Sequence, residues 1–123
     1  MHYGFALPGS GPLATPEALT ALARRGEELG FSYIGAGDHV VLPRDVRSKY
    51  PYTETGVWPT GQSGGWLEHL TVLSFLASQP STVRLLTTVT ILPYRSPVYT
   101  AKALASIDVL SGGRLIAGVG AGW

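Results

Sequence analysis

The stretch VRLLTTVTI, residues 83–91, fixes the architecture. It is rich in β-branched residues and shows little polar alternation, so it reads as a strand from Val83 to Ile91 covered on both faces. Strands of that kind belong to parallel sheets, whose neighbouring strands are joined by helical crossovers. Helices should therefore flank it. Upstream, the spacing predicts one from about Trp66 to Ser78, with Leu67, Leu70, Leu73, Leu76 and Ala77 as its apolar stripe and Pro80 just past its end. Downstream, Ser96 and Pro97 make a cap-plus-proline start, Val98, Ala101, Leu104, Ala105 and Asp108 mark the inner face, and Gly112 and Gly113 stop the helix.

The same rhythm extends to both termini. Tyr3 to Leu7 is an apolar run stopped by Pro8, and a Gly/Pro loop follows from Gly9 to Ala14. Thr15 is placed to cap a helix with Pro16 at its first position and Glu17 in its first turn; Ala18, Leu19, Leu22, Ala23 and Leu29 share a face, and Gly30 ends it. Phe31 to Ala36 is the second strand, and Arg114 to Val119 the fourth. Strand, helix, strand, helix, strand, helix, strand argues for parallel βαβ units. Residues 43–65 break the rhythm: this long loop after the second strand holds Tyr50, Tyr52, Trp58, prolines and glycines with no period.

The totals exclude several functions. The 123 residues carry nine basic and eight acidic side chains, a formal charge of +1 and no electrostatic footprint for nucleic acid. With no cysteine, disulfides, thiolate metal sites and a cysteine nucleophile are ruled out. No signal peptide is legible, and no apolar run approaches the roughly 20 residues that span a bilayer. The expectation is a cytoplasmic protein with no membrane partner.

Among candidate sites, Asp38-His39 stands out, because the second strand ends there and the carboxyl ends of parallel strands are where ligands bind. Neighbouring residues point to opposite sides, so one can face a crevice and the other the backbone. His39 could move a proton near neutral pH or simply fill a gap. Gly118-Val119-Gly120-Ala121-Gly122 resembles a dinucleotide fingerprint only superficially, since that motif follows a first strand and opens a helix. Thr87, Thr88 and Thr90 need partners for their hydroxyls, most simply main-chain carbonyls. Glu68 and His69, one residue apart on a helix, make a poor metal pair, and Arg95 and Lys102 read as solvated or ion-paired. Ser10, Ser74 and Ser111 lack a nucleophile elbow.

Three segments together resemble the luciferase-like flavin monooxygenase superfamily, in particular its branch dependent on the deazaflavin coenzyme F-420. They are ATPEALTALARRGEELGFSYIGAGDHVVLP (14–43), WLEHLTVLSFLA (66–77) and LLTTVTILPYRSPVYTAKALASIDVLSGGRLIAGVGAGW (85–123). The resemblance implies α/β architecture, the N-terminal half of a (β/α)8 TIM barrel with four parallel strands and three helices, in a fold that takes about 250 residues when whole.

It also implies an oxidoreductase moving a hydride between F-420 and a small organic substrate. Plain FMN with molecular oxygen is the rival within the class, and a non-catalytic half-barrel assembly module or inactive remnant the rival outside it. By similarity His39 is catalytic, moving a proton beside the reactive ring, and Asp38 binds the cofactor or orients the site. Thr88-Val89 matches a cis peptide that buttresses the ring, and Gly118 and Gly120 match glycines that leave the cofactor room. Gly35 and Gly37 stand where many relatives carry larger residues, which should loosen the strand end. The implied partners are the missing C-terminal half-barrel or a second copy of the chain, in a homo-oligomer.

Overall fold

A computed structural model describes residues 1–43, 48–58, 65–79 and 82–122; Pro80, Trp123 and parts of the 43–65 loop lie outside them. Four strands, β1 (Gly4–Ala6), β2 (Tyr33–Ala36), β3 (Arg84–Thr87) and β5 (Leu115–Ile116), lie side by side in that order. All pairings are parallel, with Gly4 opposite Tyr33, Tyr33 opposite Arg84 and Leu85 opposite Leu115. Two further short strands, β4 (Thr90–Ile91) and β6 (Val119–Gly120), pair in parallel beyond the sheet's carboxyl end. Helices α1 (Pro16–Glu28), α2 (His69–Leu76) and α3 (Pro97–Leu110) make the crossovers. α2 packs against both other helices and onto β2 and β3. The core lies between them: Leu19 and Ala23 from α1, Leu73 and Leu76 from α2, Ile107 from α3, and Ile34, Val83 and Leu85 from the strands. The predicted parallel α/β half-barrel of four strands and three helices stands.

The differences are local. The third strand is not continuous from Val83 to Ile91. It breaks at Thr88-Val89, where the peptide bond is cis and both residues are exposed. The fourth breaks in step, at Ala117-Gly118, so that β6 follows β4. Gly118 makes this joint possible. Its carbonyl accepts from Thr87 Oγ1 at 2.7 Å and from the Thr90 N–H at 2.8 Å.

Helix α2 starts at His69, not Trp66, because Glu68 is its cap: the Glu68 carboxylate accepts from the Thr71 N–H at 2.7 Å. Trp66 and Leu67 therefore belong to the approach, and the Leu67 N–H donates to Gly9 O at 2.7 Å. α1 begins as its sequence predicts, with Thr15 Oγ1 accepting from the Ala18 N–H, and ends with Gly30 at φ +80°. Leu29, however, is its exposed last cap and not part of the buried face.

For α3 the predicted inner face is only partly right. Leu104 packs on the core, but Val98, Ala101 and Ala105 are exposed, and Thr100 and Ile107 are the buried residues. The helix is apolar nearly all round, so spacing could not choose its face. Arg114 stitches the crossovers together: its guanidinium donates to Ala77 O at the end of α2 and to Val83 O at the start of β3.

Candidate functional site

The carboxyl ends of β2 and β4 and the start of α2 converge on Asp38. Its carboxylate is buried. Oδ2 accepts from the Ile91 N–H at 2.8 Å, and both oxygens take the fork of Arg95, Oδ1 at 2.8 Å from Nη2. That is the bidentate geometry which makes Arg–carboxylate pairs strong. Arg95 Nη2 also reaches Glu68 Oε1 at 3.0 Å. His69, fully enclosed, completes the cluster, with Nδ1 3.1 Å from Glu68 Oε1 and 3.4 Å from Asp38 Oδ1, and Nε2 2.9 Å from Thr90 Oγ1. Arg95 Nη2 also lies 3.4 Å from Nδ1, so the imidazole is bracketed by charged groups on one side and the threonine hydroxyl on the other.

Charge is balanced by contact here. Burial works against charge on Glu68, but hydrogen bonds from His69, Thr71 and Arg95 outweigh it and hold the carboxyl well below the usual carboxylate range. Burial alone would lower the Arg95 guanidinium; its bonds to Asp38 and Glu68, and their charge, raise it instead. A group whose folded pKa is depressed adds stability above its unfolded value, near 4.3 for Glu, and loses that contribution as pH falls. The urea midpoint of the protein should therefore exceed that of a Glu68→Gln variant at pH 6, with the gap narrowing by pH 3. A gap constant over that window would show that these bonds do not hold the carboxylate.

His39 follows Asp38 just past the end of β2. It lines a cleft of about 880 Å³ whose walls are mainly Val40, Val41, Leu42, Val57, Trp58 and Ile91, with Tyr50 and Tyr94 adding phenols. The imidazole sits against two indoles, Trp58 at 4.6 Å between ring centroids and Trp66 at 4.5 Å. Burial pushes its pKa below the ordinary histidine value, while the charge of Asp38 pulls the other way and loses. Burial thus favours the uncharged form of an imidazole that has access to an apolar cleft, the form that can accept a proton.

The structure brings Asp38 and His39 to this cleft but leaves Thr88, Val89, Gly118 and Gly120 off its lining. These four gather at the neighbouring joint between the two small sheets. A Cβ on Gly118 would lie 2.4 Å from Thr87 O, and one on Gly120 2.7 Å from Val89 Cγ2, so close strand packing is reason enough for both glycines. At Gly35 the missing side chain lets Thr88 pack close: a Cβ there would lie 2.9 Å from Thr88 Cγ2. Of the threonines, Thr87 does bond a main-chain carbonyl, but Thr90 pairs with His69.

Sequence reasoning missed Glu68, His69, Thr90 and Arg95 as a unit. The available signal was a glutamate three residues before Thr71, a capping arrangement that takes Glu68 off the helix surface.

Known proteins share the sequence pattern and the fold. The chain is 32% identical over its full length to uncharacterized proteins of Mycobacterium bovis and Mycobacterium tuberculosis, and spans 43% of the length of each. It superposes over 99% of its length on the coenzyme F-420 dependent tetrahydromethanopterin reductase of Methanopyrus kandleri, with a TM-score of 0.70 and 25% identity, covering 27% of that chain. It superposes over its full length on a monooxygenase of Streptomyces bottropensis, with a TM-score of 0.70 and 26% identity, covering 34% of that chain. At 17% identity and a TM-score of 0.71, the oxygenating constituent of 3,6-diketocamphane monooxygenase of Pseudomonas putida shares the fold, over 30% of its own chain. The family model for luciferase-like monooxygenases matches residues 2–123, and with the half-barrel and its His39 cleft in view, the chain belongs to that family.

Proposed function

We propose that this chain supplies the proton-transfer side of an oxidoreductase that exchanges a hydride between coenzyme F-420 and a small, uncharged organic substrate. The observation that carries the reading is His39: an imidazole lining an apolar cleft just past the end of β2, beside an Asp38 whose oxygens are committed to Arg95 and Ile91. The cleft fits a flat conjugated ring by size and by its apolar and aromatic walls. Among the described residues no cation lines it, so the phosphate-bearing tail of such a cofactor would be held elsewhere. Bound there, the deazaflavin ring supplies two-electron hydride exchange with the substrate.

The chain's own residues do the rest. His39 takes or returns the proton that balances that exchange. Trp58, Val40 and Val41 exclude water. The Asp38–Arg95 pair holds the strand end in place. Thr88, Val89, Gly118 and Gly120 border the cofactor from the joint next to the cleft. Support for F-420 comes from the Methanopyrus kandleri reductase; the family's monooxygenases support the alternative, FMN with molecular oxygen as oxidant.

A second reading rests on a separate observation. The outer edges of β1 and β5 have no strand partner among the described residues, and Val98, Tyr99, Val109 and Leu110 of α3 are largely exposed. Such surfaces invite pairing. The partner is the C-terminal half-barrel or a second copy of the chain, and on this reading the chain is an assembly module.

F-420 and FMN titrated into the same sample, with ring fluorescence and sedimentation followed together, separate these readings. Quenching by F-420 supports the deazaflavin reading, and quenching by FMN alone shifts it to the monooxygenase. A folded, self-associating chain that binds neither overturns the enzyme reading in favour of the assembly module.

A further inference from the structure

The loop after β1 packs, at Gly9, against Trp66, two residues before α2's cap and in ring contact with His39. Gly9 lies flat against the Trp66 indole: a Cβ there would fall 2.2 Å from Cε2 and 2.3 Å from Nε1. The Leu67 N–H, next in the chain, donates to Gly9 O at 2.7 Å. On its other side Trp66 Nε1 is 3.4 Å from Gly37 O. The indole is thus held between the ends of the first and second strands. It presents its ring system to His39 at 71°, while Trp58 lies against the imidazole at 36° and 5.3 Å from Trp66. Trp58 lines the cleft and Trp66 does not.

We propose that Trp66, seated on Gly9, is a positioning residue for His39: it fixes the plane of the imidazole and keeps water from its inner side, so that the ring meets the cleft alone. Trp58 completes the clamp from the cleft side. Two large rings with centroids 4.5 and 4.6 Å from that of the imidazole restrict its orientation, and the edge-to-face packing on Trp66 is favourable in its own right. The catalytic meaning of the clamp rests on His39 being the proton-transfer group; the clamp itself does not.

The test reads His39 directly, without cofactor, from its imidazole C–H resonances in the full chain as pH is varied. The three histidines are told apart with His39→Gln and His2→Gln variants. The charged or titratable groups around His39 are Asp38 beside it, Tyr50 and Tyr94 across the cleft, and Glu68, His69 and Arg95 behind Asp38. These remain in every variant, so a change reports the indole.

Trp66→Ala should move the His39 midpoint up, since burial is what lowers it. Trp66→Phe, which restores an aromatic ring, should bring the midpoint back toward the wild-type value. Gly9→Ala, remote from His39 in sequence, should raise it too by displacing the indole. The double variant Gly9→Ala/Trp66→Ala should titrate like Trp66→Ala, because both changes act through one ring.

An unchanged midpoint in a folded Trp66→Ala chain overturns the proposal, as do shifts that simply add in the double variant. Should Trp66→Ala unfold, Gly9→Ala and Trp66→Phe decide the matter by the same readout. If the midpoints move as stated while neither F-420 nor FMN binds, the clamp stands and the enzyme reading falls.

Discussion

Arg95→Leu is expected to cost about 3–5 kcal/mol of folding stability, seen as a lower urea midpoint at an unchanged slope. Asp38 has 1% of its side chain exposed and Arg95 12%, so removing the guanidinium leaves a carboxylate shut away from water. Glu68 loses a partner as well, but it is more exposed and can be solvated. The size of the loss therefore comes from the orphaned charge at Asp38 and not from the worth of the pair. A rescue follows. Asp38→Asn removes the charge and can still accept from the Ile91 N–H, so the double variant should be more stable than Arg95→Leu alone. A loss below about 1 kcal/mol, the range of an exposed ion pair, would mean that water reaches Asp38 and that the cluster does not hold the strand end.

Gly118→Ala should cost about 1–3 kcal/mol, the usual penalty for forcing volume into a packed site. The added methyl would lie 2.4 Å from the main-chain oxygen of Thr87, which cannot swing aside as a side chain can. Relief requires β6 to move away, and that stretches both hydrogen bonds to Gly118 O, from Thr87 Oγ1 and from the Thr90 N–H. Thr90 in turn partners His69, so the disturbance should reach the Asp38 cluster. Urea unfolding checks the first effect and F-420 titration the second. A variant with a normal midpoint that no longer binds the ring would mean that the joint tolerates the methyl and that the glycine's main service is to the cofactor.

The parallel order, the helix starts at Thr15 and Ser96, the glycine stops and the Asp38-His39 position were all legible in the sequence. Each is set by local chemistry: β-branched runs, a capping hydroxyl at Thr15, a fixed proline φ at Pro16 and Pro97 (Ser96 makes no side-chain cap bond), a positive-φ glycine. The resemblance added the Thr88-Val89 cis bond, which the structure contains. Local chemistry stopped at α3, where apolar residues on all sides leave the choice of inner face to whatever packs against it.

The site divides along the same line. That Asp38 and His39 sit where the second strand ends follows from the sequence alone. What each one meets does not. Arg95 lies 57 residues from Asp38 in sequence, Thr90 21 from His69, and Trp66 29 from Gly37, and only the packing of α2 over β2 and β3 closes those distances. Side-chain identity sets which groups can pair. The partners are chosen by the fold, because burial makes an unmatched charge too costly and so forces Asp38 and Arg95 to satisfy one another, with His69 and the more exposed Glu68 closing the cluster.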